Sequence, residues 1–549
     1  MENKIQFIGN VKLDFSAYDG QDFYSDGDIE DEILSHFMKG DQENFLRNDN
    51  RFPVLYHLSS LRNLLVEWFP IKESDAVLEI GCGLGALTGC LLKGNSVDAV
   101  EISPRRANIC ALRNFDKKNL TIHVGNLNAI TFDKKFDYVF LIGVLEYAAK
   151  FTHTQNPQID FLNKCKSLLK PDGALVIAIE NRLGIEYFSG KPEDHTGKMF
   201  DGIADYPLSK GIKTFSRSEL KKILNHCGLV EQKFFYPYPD YKFPYIIHSD
   251  EALPSPSEFS HYSDDFYDMN RPMLFPISRA LSTVINADLY SEFANSFLIV
   301  ARQIPSTQEN FPIKIQSNNC LRKVQYRLRT EFYHSDSSSG LIIRKVARNV
   351  AARKHLQTLV ENCEILSKIY GKECVAQTKL ISDDTAEMEY VEGEIFEDYV
   401  CRALAENDFE KFLNAFEVFY TNILRGTNLN GFFATEGFNF NAPNRQYELD
   451  LNFRNIAIRN SKLVLFDYEF LSPTLPKKFI FYRALLVFWH NRGEFLSQYG
   501  ITLESLLEGA NLSSEELRQC EILNRDFAST VVDFYNQQYK KNRLPLQVK

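Results

Sequence analysis

The chain has 549 residues, 44% apolar and 24% charged, enough for more than one hydrophobic core, and at roughly 150 residues per domain its length predicts three or four units. With 62 Lys and Arg against 72 Asp and Glu, the net charge of −10 and the lack of any Lys/Arg block argue against nucleic acid as a partner. Forty-four Phe and 26 Tyr exclude disorder over most of the chain.

The ten cysteines are scattered, with no Cys-x-x-Cys pair, which argues against a zinc site and predicts a reduced, cytoplasmic compartment. The stretch from Met1 to Phe7 has no apolar signal-peptide core. No apolar run approaches the length of a transmembrane segment, so membrane association is expected only through partners.

In chain order, residues 1–50 are acidic and aromatic and are expected to pack on the domain that begins at residue 51. Asp22 to Asp28 reads as a turn leading into a capped helix, with Glu30, Asp31 and Glu32 in its first turn, where the helix dipole favours acids. Leu58, Leu61, Leu64, Leu65 and Trp68 then recur at helical spacing. Strands over 76–80, 97–101, 120–124, 137–142 and 174–179 alternate with helices over 84–92, 104–114 and 159–169. This βαβ alternation predicts a parallel, doubly wound α/β sheet.

A Gly/Pro/Asp-rich loop over 190–197, a helix over 216–227 and a strand over 230–236 come next. The last strand, 296–301, comes only after a long stretch rich in Pro, Tyr and Phe. The last two strands therefore form an antiparallel edge with a lid insertion, about 243–295, between them; the rings crowded into 236–297 could stack on a sugar. Residues 303–312 read as a linker between a 51–302 domain and a second periodic region, 313–549, that ends in helices. Two domains thus replace the three or four of the length prior.

The sharpest local signal is the run Glu79-Ile80-Gly81-Cys82-Gly83-Leu84-Gly85, where a buried strand enters three alternate glycines and then a helix. Glycines admit positive φ and let a ligand approach the backbone. Glu101 ends the next strand, where a carboxylate can accept two hydrogen bonds from a ribose diol. The G-x-G-x-G spacing differs from the G-x-G-x-x-G dinucleotide fingerprint. Glu79, two residues before the first glycine, suits a ligand with an ammonium group, pointing to S-adenosylmethionine (SAM) rather than NAD; a purely structural turn is the alternative. Asn126, after the third strand, is placed to meet an adenine amino group. The run Phe136 to Tyr147 supplies the fourth strand and its loop.

For an acceptor that needs a general base, Asp194 and His195 in the 190–197 loop are the catalytic candidates, His having a pKa in the useful range; a solvated turn is the alternative. The segment Tyr236-Pro237-Tyr238-Pro239-Asp240-Tyr241-Lys242 either lines the acceptor site or forms an aromatic edge of the core.

In the second half, Leu341 to Val346 is a strand with Lys345 at its centre, followed by a helix carrying Glu361 and Glu364. A strand then breaks at Gly393. Asp450, Asn455 and Asp467 come after it in the order and spacing of a phosphotransferase catalytic Asp, metal-binding Asn and metal-binding Asp. Lys345, paired with Glu361 or Glu364, would steady nucleotide phosphates. A solvated lysine and an Asx turn are the alternative readings.

These motifs carry two resemblances. Residues 50–302 resemble the class I SAM-dependent methyltransferases, which implies a Rossmann-like sheet, with SAM held by Glu79, Gly81, Gly83, Gly85, Glu101 and Asn126; that family usually has Asp where Asn126 stands. Residues 313–500 resemble small-molecule kinases of the aminoglycoside or choline type, which implies a protein-kinase-like α+β domain, with Lys345 on the nucleotide, Asp450 catalytic, Asn455 and Asp467 on Mg²⁺, and ATP as cofactor if that half is active. The sequence departs from the kinases in lacking a Gly-rich phosphate loop, with Ser337-Ser338-Ser339-Gly340 the nearest flexible stretch, and in having Glu448-Leu449 before Asp450.

The domain order resembles bifunctional kinase–methyltransferases that cap bacterial O-antigen chains. It implies methylation of a sugar or sugar phosphate in surface-polysaccharide biosynthesis, with a membrane-bound glycan-assembly complex as partner. A protein or small-metabolite methyltransferase carrying an inactive, binding pseudokinase is the alternative.

Overall fold

The computed structural model describes residues 4–22, 27–49, 51–207, 211–256, 258–261, 273–306, 310–317, 322–335, 340–424, 447–471, 475–509 and 512–532. It divides the chain into two compact units, Met1–Gln316 and Ser317–Phe534.

The first unit is built on one sheet. Its strands are β1 (Ile5–Ile8), β2 (Val11–Ala17), β3 (Ala76–Ile80), β4 (Ser96–Glu101), β5 (Leu120–Gly125), β6 (Phe136–Ile142), β7 (Leu169–Glu180), β8 (Glu231–Tyr238), β9 (Ile246–Ser249), β10 (Ser296–Arg302) and β11 (Lys314–Gln316). They lie in the order β1-β2-β5-β4-β3-β6-β7-β10-β8-β9-β11. The strands from β2 to β7 in that order are parallel. β10 enters antiparallel between β7 and β8. Successive residues of the central strands alternate between two buried faces: Leu78, Ile80, Leu141 and Ile179 feed one core, and Val77, Phe140, Val176 and Ala178 the other. A parallel sheet covered on both sides requires that pattern.

Several sequence expectations are corrected. The helix expected over 84–92 is confined to Thr88–Leu91, because Gly83 and Gly85 keep left-handed backbone just before it. The helix Ile29–Lys39 forms, but Asp28 makes no side-chain cap; its buried Glu30 instead pairs with Arg106 at 2.9 Å. The N-terminal segment contributes two sheet strands, β2 running parallel to β5. The lid begins inside the sheet, since β9 pairs with both β8 and β11. Two of its rings pack inward: Phe259 lies 4.2 Å from Tyr238 of β8 and stacks at 5.6 Å on Tyr290, and all three are buried. Residues 262–272 of the lid lie outside the described residues.

The first unit also runs past the expected 303–312 linker. Phe311 is 6% exposed and lies 5.9 Å from Trp68 and 5.8 Å from Phe69. The helix Arg217–His226 begins at a capping box between Ser216 and Glu219, an arrangement worth about 1 kcal/mol.

The second unit holds an antiparallel sheet of β12 (Leu328–His334), β13 (Leu341–Ala347), β14 (Thr378–Ser382) and β15 (Thr385–Glu389), in the order β12-β13-β15-β14. The helix Arg353–Tyr370 buries Leu359, Cys363 and Leu366 in the same cluster as Ile343 and Met388 of that sheet. A small sheet of β16 (Glu394–Ile395), β17 (Ile456–Arg459) and β18 (Lys462–Leu465) comes next. The helices Phe396–Ala405 and Lys477–Ser497 join a core around Phe453 and Phe488. Among the described residues, no helix is long and apolar enough to cross a membrane.

Candidate active site

The order of the sheet reverses at β3, with β4 on one side and β6 on the other, which is where open α/β sheets hold ligands. β3 delivers the chain into Gly81, Gly83 and Gly85, with left-handed φ of 77°, 54° and 75°. A Cβ on Gly81 would stand 2.7 Å from Val144 Cγ2 and one on Gly85 2.8 Å from Cys110 Sγ, whereas one on Gly83 meets nothing within 4 Å. Gly83 faces a cavity of about 380 Å³.

Glu79, Gly81, Gly83 and Glu101 line that cavity, while Gly85 packs behind it. Buried Glu101 accepts the Gly83 N–H at 2.8 Å and the Ser103 N–H at 3.0 Å, so it closes the glycine turn onto β4 as well as facing the cavity. Burial raises its pKa. Glu79 accepts the Thr88 hydroxyl at 2.6 Å, and burial pushes its pKa up to about 7. Asn126 does not line the cavity: its Oδ1 accepts the Asn128 N–H at 2.9 Å and its Nδ2 donates to the Phe151 carbonyl at 3.3 Å. The side chain that was expected to face adenine caps its own turn.

The other end of the cavity is lined by charged side chains on the loops after β6, β7 and β8. Glu180, the last residue of β7, accepts Lys242 Nζ at 2.6 Å and the Tyr241 hydroxyl at 3.2 Å on Oε1, and faces His195 Nε2 at 3.4 Å with Oε2. His195 Nδ1 lies 3.1 Å from the Tyr147 hydroxyl. Burial draws the His195 pKa down, but the charge and hydrogen bond of Glu180, with Glu146 and Glu193, push it up to about 9. His195 is thus largely protonated at neutral pH, not poised near it as expected.

Asp194 is not its partner. Asp194 accepts the Tyr187 hydroxyl at 2.6 Å and sits 3.5 Å from Lys191 and 3.6 Å from Lys242. Glu146, on the loop after β6, is 1% exposed, and among the described residues neither of its carboxylate oxygens has a hydrogen-bond partner. Burial and the Glu180 charge push its pKa up to about 8. Burial raises the Glu180 pKa, but Lys242 and His195 hold it well below the usual carboxylate range.

Sequence reasoning missed Glu146 and Glu180, although each ends a recognisable strand or its loop. It also missed Arg62, which is buried, lies 3.6 Å over the Tyr56 ring and has no hydrogen-bond partner at Nε among the described residues. Arg62 and Tyr56 both line the cavity. The 236–242 segment divides between the two expected roles. Tyr236 and Tyr238 belong to the core, whereas Tyr241 and Lys242 line the cavity.

The second unit brings most of its candidates together with different partners. Glu361 and Glu364 are exposed, and Lys345 pairs instead with Asp467 and, at 3.1 Å, with Glu469. Glu469 also binds Arg322 and, at 3.1 Å, His355. Asp467 has a left-handed φ of 58°. Asn455 Nδ2 donates to the Asp450 carbonyl at 2.8 Å, and the Asp450 carboxylate accepts Arg483 at 3.2 Å. Ser337, Ser338 and Ser339 lie outside the described residues.

A family described as "Methyltransferase domain" matches residues 78–177, the span of β3 to β7 that carries the glycine turn. A probable cobalt-precorrin-6B C(15)-methyltransferase (decarboxylating) of Saccharolobus solfataricus is 31% identical over 190 residues, covering 33% of this chain and 88% of that protein. The chain belongs to the SAM-dependent methyltransferases. A second methyltransferase relative, a ubiquinone biosynthesis O-methyltransferase of Rhodopseudomonas palustris, is 31% identical over 113 residues, 20% of this chain and 42% of its own length. Among solved structures, a Haemonchus contortus phosphoethanolamine N-methyltransferase 2 with S-adenosylhomocysteine bound is 15% identical, covers 51% of this chain and 61% of its own, and has a TM-score of 0.29.

Proposed function

We propose that the 380 Å³ cavity is the methyl-transfer site, with SAM over the glycine turn and a sugar hydroxyl of a bacterial surface-polysaccharide intermediate at the charged end. The observation that carries this is the single cavity joining the open face of Gly83 to Glu180, His195 and Lys242. Its residues fit the donor. Arg62, whose buried Nε has no hydrogen-bond partner among the described residues, and Glu79, whose pKa the Arg62 charge lowers against burial, suit the carboxylate and ammonium of an amino-acid end. Gly83 leaves room for close approach, and Glu101 keeps acceptor capacity for a ribose beyond its two backbone bonds.

When bound, SAM supplies a sulfonium methyl that needs no further activation. The chain's own contribution is alignment, which can be worth ~7–11 kcal/mol when complete, and a place for the hydroxyl proton, which would pass to Glu180, the ionised carboxylate lining the cavity, as the oxygen takes the methyl and S-adenosylhomocysteine leaves. Lys242 and Tyr241 fix Glu180, Tyr147 fixes His195, and Asp194 anchors Lys191 and Lys242. The cations Lys191, Lys242 and His195 are matched by Glu186, Glu180 and Asp194, which leaves no cationic surplus to welcome a phosphate acceptor and favours a neutral hydroxyl. Calorimetry of the full chain with SAM tests the donor half; absence of binding would sink it.

A second reading gives the second unit a kinase-like fold and ATP-dependent phosphorylation of the acceptor. It is favoured by the strand order β12-β13-β15-β14 and by left-handed Asp467 beside Lys345. Asn455 and Asp467 would hold Mg²⁺, and Lys345 the phosphates. ATP turnover that survives Asp467→Ala would exclude this reading, and no Mg²⁺-dependent ATP turnover at all would leave a binding module on a methyltransferase of protein or small metabolites.

A further inference from the structure

The charged end of the cavity holds an arrangement that the donor-site reading leaves unused. Glu146, Glu180 and His195 each offer one donor atom, and the three atoms lie within 4.8 Å of one another. Two donors on opposite sides of a divalent ion are about 4.2–4.8 Å apart at the usual ~2.1–2.4 Å metal–oxygen distances. A single small ion can therefore reach all three with minor side-chain adjustment.

Three further observations point the same way. Glu146 is 1% exposed, yet among the described residues both its oxygens lack a hydrogen-bond partner, an unfavourable condition for a carboxylate without a cation or proton. Glu180 gives Oε1 to Lys242 and Tyr241 and turns Oε2 toward His195. The Tyr147 hydroxyl, 3.1 Å from His195 Nδ1, can accept a hydrogen bond from the Nδ1 proton, so that an ion displacing the Nε2 proton meets that nitrogen's lone pair in the cluster. Outer partners commonly orient ligating histidines in this way.

We propose that Glu146, Glu180 and His195 form a divalent-cation site that takes Mn²⁺ or Mg²⁺. One imidazole and two carboxylates, without a thiolate, match that class of ion. Three protein ligands leave open positions, which would bind the hydroxyl oxygen and a neighbouring oxygen of the acceptor. The acceptor class narrows accordingly to a hydroxyl with a second oxygen in chelating position, as in a sugar diol. This rests on the methyl-transfer reading above and deepens its acceptor end.

The test is Mn²⁺ binding to the full chain, followed by electron paramagnetic resonance in an Asp467→Asn background so that the acids of the second unit do not contribute. SAM calorimetry and a thermal melt are run on the same samples. One tightly bound Mn²⁺ per chain is expected, with Glu146→Gln and His195→Gln each weakening it tenfold or more while the metal-free melting temperature shows a folded protein. SAM binding without Mn²⁺ binding at millimolar concentration overturns the cation site alone, and so does Mn²⁺ binding unchanged in folded Glu146→Gln. Loss of both SAM and Mn²⁺ binding in the parent protein overturns the donor-site reading together with it.

Discussion

Replacing Gly83 by arginine should abolish SAM binding in a folded protein, whereas replacing it by alanine should leave binding within tenfold. Both substitutions place an L side chain at φ 54°, and the left-handed region costs each about 1–2 kcal/mol. A Cβ there meets nothing within 4 Å, so alanine adds strain without collision. For a unit of this size that strain lowers the melting temperature by roughly 2–6 °C, equally in both variants. Arginine additionally projects its guanidinium into the 380 Å³ cavity, where the donor would lie. Calorimetry with SAM, paired with thermal melts, separates the two effects. A hundredfold loss corresponds to about 2.7 kcal/mol, and at least that is expected for arginine alone. Equal losses in the two variants, or an arginine variant that binds within twofold of the parent, would overturn the placement of the donor against Gly83.

Phe311→Ala should destabilise the first unit by about 3–5 kcal/mol, as for a ring removed from a core, because Phe311 packs on Trp68 and Phe69; a denaturant midpoint barely moved would return residues 303–312 to a linker. His248 is fully buried, and burial pulls its pKa from 6.5 down to about 4. A depressed folded-state value means that stability is complete above pH 6.5 and falls as pH drops toward 4, by about 3 kcal/mol in all. His248→Phe should flatten that part of the acid-side curve, and a His248 resonance titrating near 6.5 would contradict it. Lys242→Met should cost about 3–5 kcal/mol at neutral pH by leaving Glu180 and Asp194 buried without their shared cation, as read from chemical denaturation; a near-neutral result would show that the cluster recruits another positive charge.

The residues that were legible in the sequence are those whose neighbours are local. β3 forms over the expected 76–80, since a short run that is apolar but for Glu79 and ends in glycines leaves little choice. Glu101 was legible because it ends the next strand. What was not legible depends on long-range pairing. β2 alternates well enough to be a strand, but its partner β5 lies about a hundred residues on, and nothing local says the pairing is parallel. β9 and β11 are four and three residues long, too short for periodicity, and exist through each other.

The same holds for the site. Asp194, adjacent in sequence to His195, was the natural partner to expect, yet Glu180 takes that place because β7 and the 190–197 loop converge on the cavity. Lys242 reaches Glu180 from 62 positions away and Lys345 reaches Asp467 from 122. Charge pairs of that separation are set by the fold, and sequence spacing carries no trace of them.

Methylation of a neutral sugar hydroxyl from SAM in the cavity of the first unit can be put to mass spectrometry. Oligosaccharide fragments are incubated with the full chain and SAM bearing an isotopically labelled methyl group, with and without ATP. The expected result is one labelled methyl on a sugar hydroxyl without ATP, lost in Gly83→Arg. Label that appears only on phosphorylated sugar, or no labelled sugar from a chain that binds SAM, would rule it out.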